Sequence, residues 1–357
     1  MTIYNDVDIE PDLIKYKMND IKEAIKNNEP IEEKLHMVIC VSNAVQYESR
    51  YILAKKFIKR IENEEKNVIL YIVELAYDLP NQKPQKFFIT KKDNPRHLQL
   101  RTNTQPLWHK ENLLNIGIKK LLPRDSKAFC WCDADVIFDD PHWAINTLKV
   151  LNGTRDIVQN FHLCVDMDAD ENAMSIFSSF GYQYTHNRPY QKGGNANTQW
   201  HPGYVWSCTR KAYEQMKGEN IHGGLIDVGI VGAGDNHMSL SWINNGIKSV
   251  HEDVSDGYKQ SILEYQERCK GLTIGYIPGV IKHEFHGKKS ARGYNERWLI
   301  LVKNKYDPYQ HITYNKDGLL IPTKDCPQKM LDQIYEYFTS RNEDLGIEKL
   351  KELSLKD

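Results

Sequence analysis

Asp133 and Asp135 flank a single Ala134 at the end of the apolar run Lys127 to Cys132. Anionic oxygens at that spacing suit a hard divalent cation, Mn²⁺ or Mg²⁺. Such an ion bridges a diphosphate and offsets charge on its leaving group. Paired aspartates also cap strand ends without binding anything, so their placement matters as much as the motif. A second cluster follows much later, in Lys282-His283-Glu284-Phe285-His286-Gly287 with Lys288, Lys289, Arg292 and Arg297 behind it. His286 is the candidate third metal ligand, with Lys288 and Arg292 as candidate phosphate partners. The plain alternative is a surface histidine beside a solvated basic turn.

A glycine-rich stretch runs from Gly223 through Asp227, Gly229, Gly232 and Gly234 to Asp235 and His237. It does not follow a first βα turn, so it is not a dinucleotide fingerprint. Glycines leave room for an acceptor to approach, and Asp235 is placed to take a proton from an acceptor hydroxyl as general base. His237 is its alternate or orienting partner. Asp235 as a helix cap fits the same position. His201-Pro202-Gly203-Tyr204-Val205-Trp206 is an aromatic-rich strand that could stack on a sugar ring, or simply bury Trp206. His201, Tyr204, Trp206 and Asp227 are the acceptor-binding candidates.

The elements that must position these residues read as α/β. His36 to Val41 and Val68 to Val73 are short apolar runs that suit buried strands. Phe87 to Ile89 and Leu98 to Leu100 are shorter strand candidates. Between them, Glu48 to Glu62 and Lys110 to Leu122 carry helical apolar stripes. Alternating strands and helices predict parallel βαβ units, and ligands then bind beyond the strands' carboxyl ends. Ser42, Asn43, Glu74 and Asp133 fall at such ends. The spacing predicts four parts: a polar, partly helical extension over 1–34, a donor half over 35–180, an acceptor and catalytic half over 181–325, and C-terminal helices over 326–357. The two halves are expected to share one sheet. Residues 181–200, rich in Gly, Asn, Gln and Tyr, read as a long loop.

Composition narrows the class. The chain has 357 residues, 40% of them hydrophobic, enough to bury a sizeable core. A net charge of −1 gives no global basic field for nucleic acid. No apolar run approaches a membrane span, and the N-terminus lacks the apolar region of a signal peptide, so a soluble, cytoplasmic protein is expected. The 7 scattered cysteines include no CxxC pair and read as free thiols.

Taken in order, these motifs resemble GT-A glycosyltransferases of a bacterial and bacteriophage type. The likeness rests on Asn43 and Arg50, Val73-Glu74-Leu75, Trp108 to Asn112, Asp133-Ala134-Asp135, His201 to Tyr204, Gly232 to Met238, His283 to Gly287, and Tyr306 to Pro308. It covers residues from about 36 to 345. The resemblance implies a GT-A, Rossmann-like, mainly parallel sheet and a metal-dependent transfer from a nucleotide-sugar, UDP being the commonest donor. It would place Asn43 and Glu74 near the base and ribose, and Asp135 and His286 at the metal. Ser42, Arg50, Arg101, Asp133, Lys288 and Arg292 complete the donor-binding candidates. The acceptor stays open: a glycan, a protein, a small molecule, or a hydroxylated nucleobase in DNA. A nucleotidyltransferase acting on a sugar phosphate also uses strand-end carboxylates and Mg²⁺, but Ser42 to Val45 is not its basic, glycine-rich loop. A non-catalytic sugar-binding protein of the same fold is the other alternative.

Overall fold

The structure, a computed structural model, describes residues 2–4, 7–9, 20–80, 82–188, 200–218 and 223–354. A small antiparallel hairpin, β1 (Thr2–Tyr4) and β2 (Val7–Ile9), comes first. Helix α1 (Asp20–Asn27) follows, then β3 (Leu35–Ser42), α2 (Glu48–Glu64), β4 (Val68–Tyr77), β5 (His97–Thr102), α3 (Lys110–Lys120) and β6 (Ala128–Cys132). Next are β7 (Val136–Phe138), α4 (Trp143–Val150), β8 (Ile157–Gln159), β9 (Leu163–Met167), β10 (Ala173–Ser179), α5 (Phe180–Thr185), β11 (Trp200–His201), β12 (Val205–Thr209) and α6 (Arg210–Met216). The rest comprises α7 (Gly234–Trp242), α8 (Asp256–Arg268), β13 (Ile274–Tyr276), β14 (Val280–His283), α9 (Glu296–Lys303), α10 (Pro308–His311), β15 (Ile312–Tyr314), β16 (Leu320–Pro322), α11 (Gln328–Ser340) and α12 (Ile347–Ser354).

The fold is α/β, as the alternation of strand and helix predicts. Its main sheet has 7 strands in the order β13-β8-β12-β6-β3-β4-β5. Every neighbour pairs in parallel except β12, which runs antiparallel to both β6 and β8. Strands from both halves of the chain therefore share this sheet. Its centre is dry: Met37, Val38, Ile39, Ile72, Val73, Phe129 and Trp131 are buried. Helix α3 lies close over it because residue 117 is glycine. A Cβ there would come within 2.7 Å of Val73 and 2.8 Å of Val38.

A second sheet, β11-β10-β9-β14-β7, carries much of the site. Strand β14 pairs in parallel with β9 and antiparallel with β7. Helix α1 and the segment that follows it are docked on the body. Ile21 and Ala24 are buried, Asp20 pairs with Arg155 at 2.7 Å, and Glu32 accepts from the backbone N–H of Lys127 and Ala128.

Three boundaries differ from the sequence reading. Strand β4 runs on to Tyr77 rather than stopping at Val73. Phe87 to Ile89 is a loop, because its N–H groups bond to a side chain, Glu74, instead of to a strand. The predicted loop over 181–200 starts as α5, capped by the Ser179 hydroxyl on Tyr182 N–H, and its 189–199 stretch lies outside the described residues. No helix among the described residues is long and apolar enough to cross a membrane.

Candidate metal centre and cleft

Strand register builds the centre. Strand β7 begins at Val136, immediately after Asp135, and Val136 sits opposite His283 on β14. On its other side, His283 sits opposite Asp166 of β9. The Glu284 N–H then bonds to the Asp135 carbonyl at 2.9 Å, tying the end of β14 to the turn that holds Asp135. His286 comes back from the following turn, where Gly287 takes a φ of 87°. As a result Asp135, His283 and His286 offer ligand atoms that all lie within 4.8 Å of one another.

A carboxylate orients the His283 imidazole. His283 Nδ1 donates to Asp166 Oδ1 at 2.9 Å, which leaves Nε2 facing Asp135 Oδ2 at 3.7 Å. The same Asp166 oxygen accepts from the Tyr204 hydroxyl at 2.9 Å. His286 Nε2 lies 3.2 Å from Asp135 Oδ2, and its Nδ1 lies 3.8 Å from Glu343 Oε2. His283 is held as metal-ligating histidines are, with the far nitrogen on a carboxylate. His286 Nδ1 is buried with no hydrogen-bond partner, and its Nε2 also takes Arg292 Nη2 at 3.0 Å. Asp135 Oδ1 is buried with no hydrogen-bond partner, which leaves an anionic oxygen free for a cation.

Burial alone would raise the Asp135 carboxyl. The His283 and His286 imidazoles outweigh it and hold the group well below the usual carboxylate range. Burial would lower His283, yet Asp135 and Asp166 raise it to about 9. His286 falls to about 4, through burial first and then the nearby Arg292 guanidinium.

Asp133 is in the same turn but has a different partner. Its Oδ1 takes the Lys110 ammonium at 2.6 Å, and the same ammonium reaches Asp235 Oδ2 at 3.0 Å. Lys110 stands at the first position of α3 and is mostly covered. Burial pushes the Asp133 carboxyl up to about 6, against the pull of Lys110 and with Asp235 adding to the rise. Asp235 lies in the first turn of α7 but makes no cap, since the N-cap residue is Ala233 and no side chain makes a capping bond there. Ala233 has φ 79°, and Tyr204 has φ 80°. Non-glycine residues held in the left-handed region are strained, and both line the cleft.

The cleft measures about 760 Å³ and opens at the carboxyl ends of β3 and β6. That size suits a nucleotide-sized ligand. Ser42, Asn43, Arg50, Asp133, Asp135, Asp235, His201, Tyr204, His286 and Arg292 all line it. These ten sequence candidates thus share one cavity. His201 stacks flat on Tyr204 at 4.3 Å. Asn43 spends its side chain locally, accepting from Tyr47 N–H and donating to the Tyr47 carbonyl. Arg50 is clamped by Glu343, with Nη2 2.8 Å from Oε1.

Six candidates are not on the lining. Glu74 is buried and its oxygens accept from the N–H groups of Phe88, Ile89 and Thr90 and from the Thr90 hydroxyl, so it anchors a loop. Arg101 pairs with Asp78 near the surface. Lys288 is exposed. His237 is wholly buried, held by the Ser249 and Tyr258 hydroxyls at 2.7 and 2.9 Å, and burial pushes it down to about 3. Trp206 is a core residue donating to the Pro202 carbonyl. Asp227 is buried between Asn112 and Tyr314. The Lys289 side chain lies outside the described residues.

The sequence reading does not name His283 as a candidate ligand, although its spacing of three from His286 is there to see. It also missed Lys110, Asp166, Arg341 and Glu343. No protein-family model matches the chain, and a search of curated proteins returns no match.

Proposed function

We propose that the protein is a metal-dependent glycosyltransferase of the GT-A kind, moving a sugar from a nucleotide-sugar, best a UDP-sugar, to an acceptor hydroxyl. The observation that carries this reading is the Asp135, His283 and His286 triad opening into the same cleft as Asp235. A bound divalent cation would offset charge on the departing nucleoside diphosphate. Asp135, His283 and His286 would hold it, and two imidazoles in the set favour Mn²⁺ over Mg²⁺. Asp133 stays outside that set and, through Lys110, sets the position of Asp235. Arg292, beside His286, is a phosphate partner. Asp235 takes the acceptor proton, and attack from its side of the sugar inverts the anomeric configuration. His201 and Tyr204 form the acceptor wall.

The test is a donor screen by nucleotide release, run with and without Mn²⁺ and with Asp135→Ala beside the wild type. Release from at least one nucleotide-sugar that needs Mn²⁺ and Asp135 is expected. Undiminished release in EDTA, or release by Asp135→Ala at the wild-type rate, would overturn the reading.

A further inference from the structure

The cleft wall beside the metal triad holds more positive charge than its carboxylates neutralise, and Arg292 Nη2 reaches His286 Nε2 at 3.0 Å. Arg292, Arg297 and Arg341 all line it, together with Tyr294, which is about half exposed. Arg292 Nη1 reaches the Tyr294 hydroxyl at 3.3 Å, and the Arg297 guanidinium lies 5.2 Å over the Tyr294 ring. Arg341 lies 5.2 Å over the ring of Trp108. Its Nε is fixed by Glu343 at 2.6 Å and its Nη1 by the Tyr337 hydroxyl at 3.1 Å.

The counter-charges do not match. Glu343 is shared between Arg341 and Arg50. Among the described residues, no carboxylate lies within ion-pair distance of Arg292 or Arg297. Arg297 is only 9% exposed, and its recorded bond is from Nη1 to the Val231 carbonyl at 3.1 Å. The Nε atoms of Arg292 and Arg297 are both buried with no partner. Burying guanidinium donors unpaired is costly, and the cost is recovered when an anion takes them up. The planar fork of arginine matches phosphate oxygens in particular.

We propose that Arg292, Arg297 and Arg341 form an oxyanion cradle that binds a phosphate group without help from the metal. Tyr294 occupies the space between the guanidiniums and moves aside when the anion enters. The phosphate belongs either to the donor's diphosphate or to a phosphorylated acceptor. The first of these rests on the function proposed above; the cradle itself does not.

The experiment is calorimetric titration of the full chain with pyrophosphate in EDTA. Wild type is expected to bind. Arg297→Gln and Arg341→Gln should each weaken binding by about tenfold to a hundredfold, the worth of a charge-assisted hydrogen bond. Thermal melts check that the variants are folded. Arg297→Lys, which keeps the charge but loses the fork, should fall between wild type and Arg297→Gln. A second titration uses protein loaded with UDP and Mn²⁺. Competition supports the cradle as the donor's diphosphate site, and undisturbed binding supports it as an acceptor site. Absence of pyrophosphate binding in EDTA, or equal binding by wild type and folded glutamine variants, refutes the cradle. Neither result bears on whether the protein releases nucleotide in the donor screen.

Discussion

Replacing Asp166 by asparagine tests the metal centre without touching a ligand. Asp166 is buried, 1% exposed, and one of its oxygens accepts from both His283 Nδ1 and the Tyr204 hydroxyl. Asparagine keeps the volume and one acceptor but removes the negative charge. His283 then keeps at most a neutral acceptor at Nδ1, so when a cation displaces the Nε2 proton its imidazole is a weaker donor than one backed by a carboxylate. Changes to such outer carboxylates typically cost about 10–100-fold in metal affinity. That is about 1.4–2.8 kcal/mol of binding free energy. The assay is Mn²⁺ titration followed by electron paramagnetic resonance, where free ion is counted directly. Asp166→Asn should weaken Mn²⁺ by that factor, while Asp135→Ala, which removes a ligand, should weaken it more. A folded Asp166→Asn protein with wild-type Mn²⁺ affinity would refute the assignment of His283 as a ligand through Nε2.

Three further outcomes are expected. Asp235→Asn should leave nucleotide-sugar affinity nearly unchanged and slow transfer by about 10²–10⁴-fold, with wild-type product of inverted configuration by NMR; retained configuration would remove Asp235 from the base role. Mn²⁺ should restore nucleotide release to EDTA-stripped protein at lower concentration than Mg²⁺, since imidazole ligands disfavour the harder ion; equal restoration would argue against two histidine ligands. His237 is held at about 3 in the folded protein, below its unfolded value, so the unfolded chain binds the extra proton and stability falls as pH drops below about 6.5 toward 3. Urea unfolding at pH 7 and pH 5 should therefore show wild type losing about 2 kcal/mol more than His237→Asn; equal losses would mean that His237 is not buried as a neutral ring.

The sequence made the site legible where chemistry and strand ends coincide. Ser42, Asn43 and Asp133 end apolar runs, and a parallel sheet delivers all three to one edge. Glu74 failed the same rule for a physical reason. Strand β4 continues past it to Tyr77, so Glu74 is within the strand, and its carboxylate is turned under the loop at Phe88 to Thr90. An acid at a true strand end and one followed by three more strand residues look alike in sequence. Asp166 was invisible for the opposite reason. It sits inside Leu163–Met167, and only the pairing of β9 with β14 gives it a function. His237, Trp206 and Asp227 stand among glycines and aromatics that suggest an open site. Each is instead satisfied internally by hydroxyl, carbonyl or amide partners. Arg341 and Glu343 lie far along the chain in a stretch that reads as an ordinary charged helix end. The contact of that end with Arg50 is purely tertiary.

The two aspartates of the turn do different work because the backbone turns between them. Strand β6 stops at Cys132 and β7 starts at Val136, so Asp133 and Asp135 are not held on one face of a continuous strand. Asp135 is carried toward β14 and its histidines. Asp133 is left facing α3, where Lys110 joins it to Asp235. Without that ammonium, two carboxylates would confront each other in a partly covered site, where charges about 4 Å apart repel by about 4 kcal/mol. Lys110 therefore links the strand-end turn to the first turn of α7, which carries Asp235. A change at Lys110 should disturb the position of Asp235 while leaving Asp135, His283 and His286 in place, because no hydrogen bond or ion pair recorded for those three involves Lys110. Cation holding and proton removal would then be separable by mutation, although the two aspartates are separated by a single alanine.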